Sequence, residues 1–150
     1  MGWASNSDVG PQVKGGVMSL TIGGLCPLLQ VFDMPTSLRF YCDVLGFTAT
    51  SPVPDDGRCD WVLLELNGSE LMLNTAYEED ERPDVPDPVR KEAHKDVALF
   101  FDCADVDEAY KALVQKGLVV KQPVVRDYGM KQLYLYDPDG YEICLQHPVR

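Results

Sequence analysis

The sequence predicts an α+β protein built from two copies of one strand–helix–strand–strand–strand (βαβββ) unit, and two observations carry that prediction. The glycines that end two amphipathic helical stretches, Gly46 and Gly117, lie 71 positions apart; the glycines of two hairpin turns, Gly68 and Gly140, lie 72 apart. A spacing shared by unrelated landmarks marks an internal duplication. Each half also runs through the same series of periodicities, from an apolar strand to a helical stripe to three further strand-like segments. Two mostly antiparallel four-stranded sheets, each covered by one helix, are expected to pair and curl around a cleft, because neither buries both faces alone.

The elements follow in order. Residues 1–18 are rich in Gly, Ser and Asn, lack the apolar core of a secretory signal, and read as a flexible leader with Met18 as an alternative start. The first module, about 19–76, opens with a strand over 21–32 ending in Leu28-Leu29-Gln30-Val31-Phe32. Asp33 suits an N-cap and Pro35 the first helical turn. Leu38, Tyr41, Cys42 and Leu45 stand at i, i+3, i+4 and i+7, one face of a helix that Gly46 ends. A strand over 47–53 and a loop at 52–57 lead to two strands, Trp61–Leu66 and Glu70–Asn74, flanking Asn67-Gly68. That dipeptide suits a type I′ hairpin turn, which needs positive φ at both central residues. Residues 77–95, dense in charge and proline, read as a solvated linker. The second module, about 96–148, repeats the order: a strand over 96–101, a helix capped by Asp105 with Glu108 three residues on, a strand over 118–125, and a hairpin pairing 131–136 with 141–146 through Asp137-Pro138-Asp139-Gly140. The whole of 19–150 reads as one domain.

Composition narrows the function. A formal charge of −11 over 150 residues argues against nucleic-acid binding and is compatible with a neutral or cationic small molecule. No apolar run reaches the length needed to span a bilayer. Five scattered cysteines, Cys26, Cys42, Cys59, Cys103 and Cys144, form no CxxC pair and point to a reducing, cytoplasmic setting without disulfides.

Two stretches resemble the signatures of a known family. Val31, Asp33, Ser37, Phe40-Tyr41 and Val44-Leu45-Gly46-Phe47 resemble the opening, and Leu133 through Asp137-Pro138-Asp139-Gly140-Tyr141 to Ile143 the closing, of the vicinal oxygen chelate superfamily, which includes glyoxalase I, extradiol dioxygenases and bleomycin-resistance proteins. The resemblance covers about residues 19–148. It implies paired modules around a cleft and a homodimer. It also implies four ligand positions for a divalent metal in the metal-using members, and these fall here on Cys26, Glu65, Asp96 and Cys144. Only Glu65 keeps the usual residue type, and neither His94 nor His147 falls on a ligand position. Three readings stay open: a bleomycin-resistance-like binder of a small organic molecule without a metal cofactor; a metal held by those four residues; or an enzyme using a metal with other ligands, or none, with a metal-dependent isomerase, lyase or dioxygenase acting on a substrate with adjacent oxygens as its main form.

Strand alternation nominates the cleft lining. Cys26, Leu28 and Gln30 share a face, as do Trp61, Leu63 and Glu65, and as do Glu142, Cys144 and Gln146. Tyr134 and Tyr136 alternate with leucines. Asp96, at the head of a strand, and Tyr128, in the loop before the last hairpin, complete the set. The expected cleft is mostly apolar and aromatic with a few polar points. Glu65 is the candidate acid or base there, unless it is solvated beside the Asn67-Gly68 turn. Cys26 and Cys144 read as packing residues rather than reactive thiols, and His147 as a surface residue.

Overall fold

The computed structural model describes residues 13, 14 and 17–150. Most of the expected leader therefore lies outside the described residues. Within it, β1 (Val13–Lys14) and β2 (Val17–Met18) pair antiparallel.

The first module comprises β3 (Leu28–Val31), α1 (Met34–Leu38), β4 (Thr48–Ala49), β5 (Trp61–Leu66) and β6 (Ser69–Thr75); α2 (Pro88–Ala93) follows it. The second comprises β7 (Ala98–Asp102), α3 (Val106–Gln115), β8 (Val124–Val125), β9 (Met130–Tyr136) and β10 (Glu142–Pro148). The two sheets have one topology, β3-β6-β5-β4 and β7-β10-β9-β8, with the first strand parallel to the last and the other pairs antiparallel. The repeat is kept in register. Leu28 lies beside Met72, and Phe100 beside Cys144, each residue of the second pair 72 positions after its counterpart. The protein is α+β with paired βαβββ modules.

Pleating sends alternate side chains to opposite faces. Leu29, Val31, Val62, Leu64, Leu71 and Leu73 of the first sheet, and Leu133, Leu135 and Ile143 of the second, are buried in one core with Tyr41, Val106 and Leu113 of the helices. Burying each such aliphatic side chain contributes about 1.5–3 kcal/mol. The core crosses between modules: the ring of Phe47 meets that of Phe101 edge-on at 6.0 Å.

Several expectations need correction. The first strand is four residues long, because Pro27 has no N–H to offer a ladder; Leu20, Ile22 and Leu25 upstream are exposed. The strands expected over 47–53 and 118–125 shrink to two residues each. The first helix does not hold one pitch. After Leu38 it widens into a π-helical stretch, Arg39–Val44, where Leu45 N–H donates to Phe40 O at 3.1 Å. The wider turn rotates the stripe, so Phe40 joins Tyr41 in the core while Leu38, Cys42 and Leu45 are only half-buried. The Asn67-Gly68 turn forms as expected, with φ of 50° and 87°.

The largest correction concerns the linker. Asp87 caps Val89 N at 3.0 Å, Pro88 takes the first helical turn, and α2 runs on into a 3₁₀ turn, His94–Asp96. This short helix docks on the closing turn. Arg90 donates to Asp139 Oδ1 at 3.0 Å and to Gln30 O at 2.6 Å. His94 stacks on Tyr141 with ring centroids 4.1 Å apart, and its Nδ1 donates to Asp139 O at 2.8 Å. Asp96 therefore ends a 3₁₀ turn and does not open a strand; the following strand begins at Ala98. Among the described residues, no helix is long and apolar enough to cross a membrane.

Candidate functional site

The predicted lining residues that lie in strands stand on the face of each sheet turned away from the core. On the first sheet, register brings Leu28 and Leu63 to either side of Met72, and Gln30 and Trp61 to either side of Asn74. Asn74 Nδ2 donates to Gln30 Oε1 at 3.3 Å. Glu65 lies on this face, but its Oε1 accepts the Gly68 N–H at 2.6 Å. Its carboxylate thus closes the hairpin turn, as the solvated alternative had it. Cys26 precedes β3, half-buried, and burial followed by the Glu70 charge pushes its thiol up.

On the second sheet Tyr134, Tyr136, Glu142, Cys144 and Gln146 share the open face, joined by a residue the sequence reading passed over. Gln132 is buried at 2 % exposure. Its Oε1 accepts from Tyr134 OH at 2.7 Å, Tyr128 OH at 2.8 Å and Arg126 Nε at 3.3 Å; its Nε2 donates to Gln146 Oε1 at 2.9 Å. The Arg126 guanidinium also lies over the Tyr134 ring, 5.6 Å from its centroid. Arg126, Gln132 and Tyr134 line a groove of about 730 Å³, walled by Val119, Val120 and Val124. Tyr136 and Glu142 also line it, the Tyr136 hydroxyl donating to Glu142 Oε2 at 3.2 Å. Burial first, then the neighbouring Cys144, pushes the Tyr134 hydroxyl up to about 12, so it is a hydrogen-bond donor across the physiological range. Cys144 is buried beneath it, and burial pushes its thiol up as well.

Gln132 was within reach of the sequence. The alternation that nominates Tyr134 and Tyr136 continues to it, but a glutamine near a strand end carries no chemical flag. Arg126 had no local signal at all; only the β8–β9 pairing brings it to Gln132. His147 is not a bare surface residue: its Nδ1 accepts Val106 N–H at 3.2 Å, helping Asp105 cap α3.

Cys26, Glu65, Asp96 and Cys144 align with the family's metal ligands. Glu65 is turned to its own hairpin, Asp96 is exposed on the 3₁₀ turn, and Cys144 sits beneath Tyr134. Among the described residues, no three His, Cys, Asp or Glu side chains converge as metal ligands. Within one chain the four do not fit a divalent ion.

The two signature stretches bond to each other. Phe32 N–H donates to Asp139 Oδ1 at 2.8 Å, Ser37 Oγ to Asp139 Oδ2 at 3.4 Å, and Tyr41 OH to Asp137 Oδ2 at 2.6 Å. The family model for the Glyoxalase/Bleomycin resistance protein/Dioxygenase superfamily matches residues 22–145. The chain belongs to this superfamily. Among similar proteins of Escherichia coli (strain K12), the uncharacterized protein YaeR is 34% identical over 116 residues, 75% of this chain and 86% of that one. A virulence protein from Salmonella typhimurium superposes with a TM-score of 0.62 at 25% identity, over 87% of this chain and 100% of that one. A bleomycin-binding protein solved with bleomycin superposes with a TM-score of 0.61 at 18% identity, over 84% and 98%, a likeness of fold. In this member of the superfamily the sequence signatures are a structural joint, which explains why they identify the fold and leave the chemistry open.

Proposed function

We propose that this protein binds a small organic molecule on the open faces of its sheets, chiefly in the groove around Gln132, and acts by holding that molecule rather than transforming it. One observation carries the reading: a groove of ligand size lined by Arg126, Gln132 and Tyr134, in which a guanidinium and a phenol, with the Tyr128 hydroxyl beside them, converge on a single buried amide. Such a site is pre-organised, since its donors are already ordered before a ligand arrives. A relative of the same fold that holds bleomycin supports it. On this reading the protein is a cytoplasmic homodimer. Leu28 and Phe100, 42 % and 52 % exposed on the two open faces, offer apolar surface to a second copy.

The test is equilibrium dialysis of the purified protein against a mixed panel of small organic molecules, read by mass spectrometry. The expected result is one compound retained near one equivalent per chain, returned chemically unchanged, and lost in Gln132→Leu. Recovery of an altered compound would replace this reading with the metal-dependent isomerase, lyase or dioxygenase. Retention of nothing would remove it.

A further inference from the structure

Hydrogen-bond donors crowd the groove around Gln132. An amide oxygen has two lone pairs, yet three donors, from Tyr128, Tyr134 and Arg126, crowd Gln132 Oε1 within 3.3 Å. The three must share those lone pairs or turn to another acceptor, as Tyr134 can to Cys144. Beyond its Nε, the guanidinium of Arg126 has no carboxylate partner among the described residues, and neither has Lys121, which lines the same groove. The one acid in the groove wall, Glu142, is engaged by Tyr136. Tyr136 stands four residues beyond Gln132 on β9, about 13 Å along a strand. Two cations without a carboxylate partner among the described residues, beside a donor-crowded amide, run against the net charge of −11.

We infer that the ligand of this groove is an organic carboxylate, its oxyanion held by Arg126 and the Tyr134 hydroxyl and its apolar part laid along Val120 and Val124. The inference rests on the small-molecule reading above and narrows it to one ligand chemistry, opposite in sign to what the whole-chain charge suggests. An acceptor-only group answers a donor-rich, acceptor-poor site, and charge-assisted bonds to a guanidinium are the strong ones. The valines supply apolar contact for the remainder of the molecule.

Three matched probes test it: 2-naphthoate, 2-naphthamide and 2-naphthylmethylammonium, with affinities measured by calorimetry at low and high salt. The carboxylate is expected to bind roughly tenfold or more tightly than the amide, with the ammonium weakest, and the preference to shrink with salt. Arg126→Gln should bring the carboxylate to within about twofold of the amide while amide binding persists; Lys111→Gln, in α3 and ion-paired with Glu108 rather than lining the groove, should change nothing. Equal binding of amide and carboxylate, or a preference that survives Arg126→Gln, overturns the charge assignment and leaves a small-molecule groove standing. Binding of none of the three at millimolar concentration overturns both.

Discussion

The hydroxyl of Tyr41 donates to Asp137 Oδ2 at 2.6 Å, tying the first helix to the last turn across 96 residues of chain. The other oxygen of Asp137 accepts the N–H groups of Asp139 and Tyr141, each at 2.9 Å. Both side chains are buried, Tyr41 fully and Asp137 at 3 % exposure. Tyr41→Phe removes the donor and strands one carboxylate oxygen. Hydrogen bonds to a charged, buried acceptor are worth about 1.5–3 kcal/mol, so the variant should lose about 2 kcal/mol in denaturant unfolding with an unchanged m-value. A loss below about 0.5 kcal/mol would mean the bond is not formed in solution.

The same carboxyl sets a pH dependence. Burial pushes Asp137 up to about 6, against the pull of the Tyr41 hydroxyl and the two backbone N–H groups. The folded protein then binds this proton more tightly than the unfolded chain, whose aspartates titrate near 4. Its stabilising effect is fully present below about pH 4, is lost as pH rises towards 6, and does not change further above that. The span corresponds to about 3 kcal/mol. Asp33 has the opposite sign: burial raises it, but Thr36 and the charges of Arg82 and Arg58 hold it below the ordinary value, so its effect is confined to more acid pH. The difference in unfolding free energy between the wild type and Asp137→Asn should therefore change between pH 4 and 6. A flat difference there would show that Asp137 titrates normally.

Gly140 is where the closing turn meets the linker helix. Its φ is +90°, and a Cβ there would collide with the carbonyl oxygen of Lys91 in α2. Gly140→Ala combines backbone strain with a steric clash against main chain, which cannot swing aside as a side chain would. A destabilisation of about 3 kcal/mol or more is expected, together with faster proteolysis within 77–95 as α2 lifts from the turn. Normal stability with unchanged protease resistance would count against the docking of α2.

Glu65 distinguishes a turn residue from a reactive one. Since its carboxylate accepts the Gly68 N–H, Glu65→Ala should lower stability by about 1 kcal/mol and leave ligand affinity in the Gln132 groove unchanged. Loss of ligand binding in a variant that remains folded would restore Glu65 to the site.

Much of this was legible along the chain. The glycine spacings exposed the duplication, and alternation placed Trp61 with Leu63, and Glu142 with Cys144, on the correct shared faces, because pleating is a property of a strand's own backbone. Failures came where neighbours elsewhere in the chain decide. The helix stripe around Tyr41 was misphased by the π-helical stretch, whose widened turn leaves no mark in residue spacing. The proline-rich linker hid a helix whose stability comes from Arg90 and His94 gripping a turn some 45 residues away.

By itself, then, the order of residues determined the repeated βαβββ plan, its turns and its caps, since these depend on dihedral preferences and on partners a few positions off. The tertiary structure alone decided that Arg126, Tyr128 and Tyr134 meet on Gln132, and that Asp137 and Asp139 join the two halves. Those meetings depend on sheet register and on desolvation inside a shared core, and neither is encoded in any single stretch of chain.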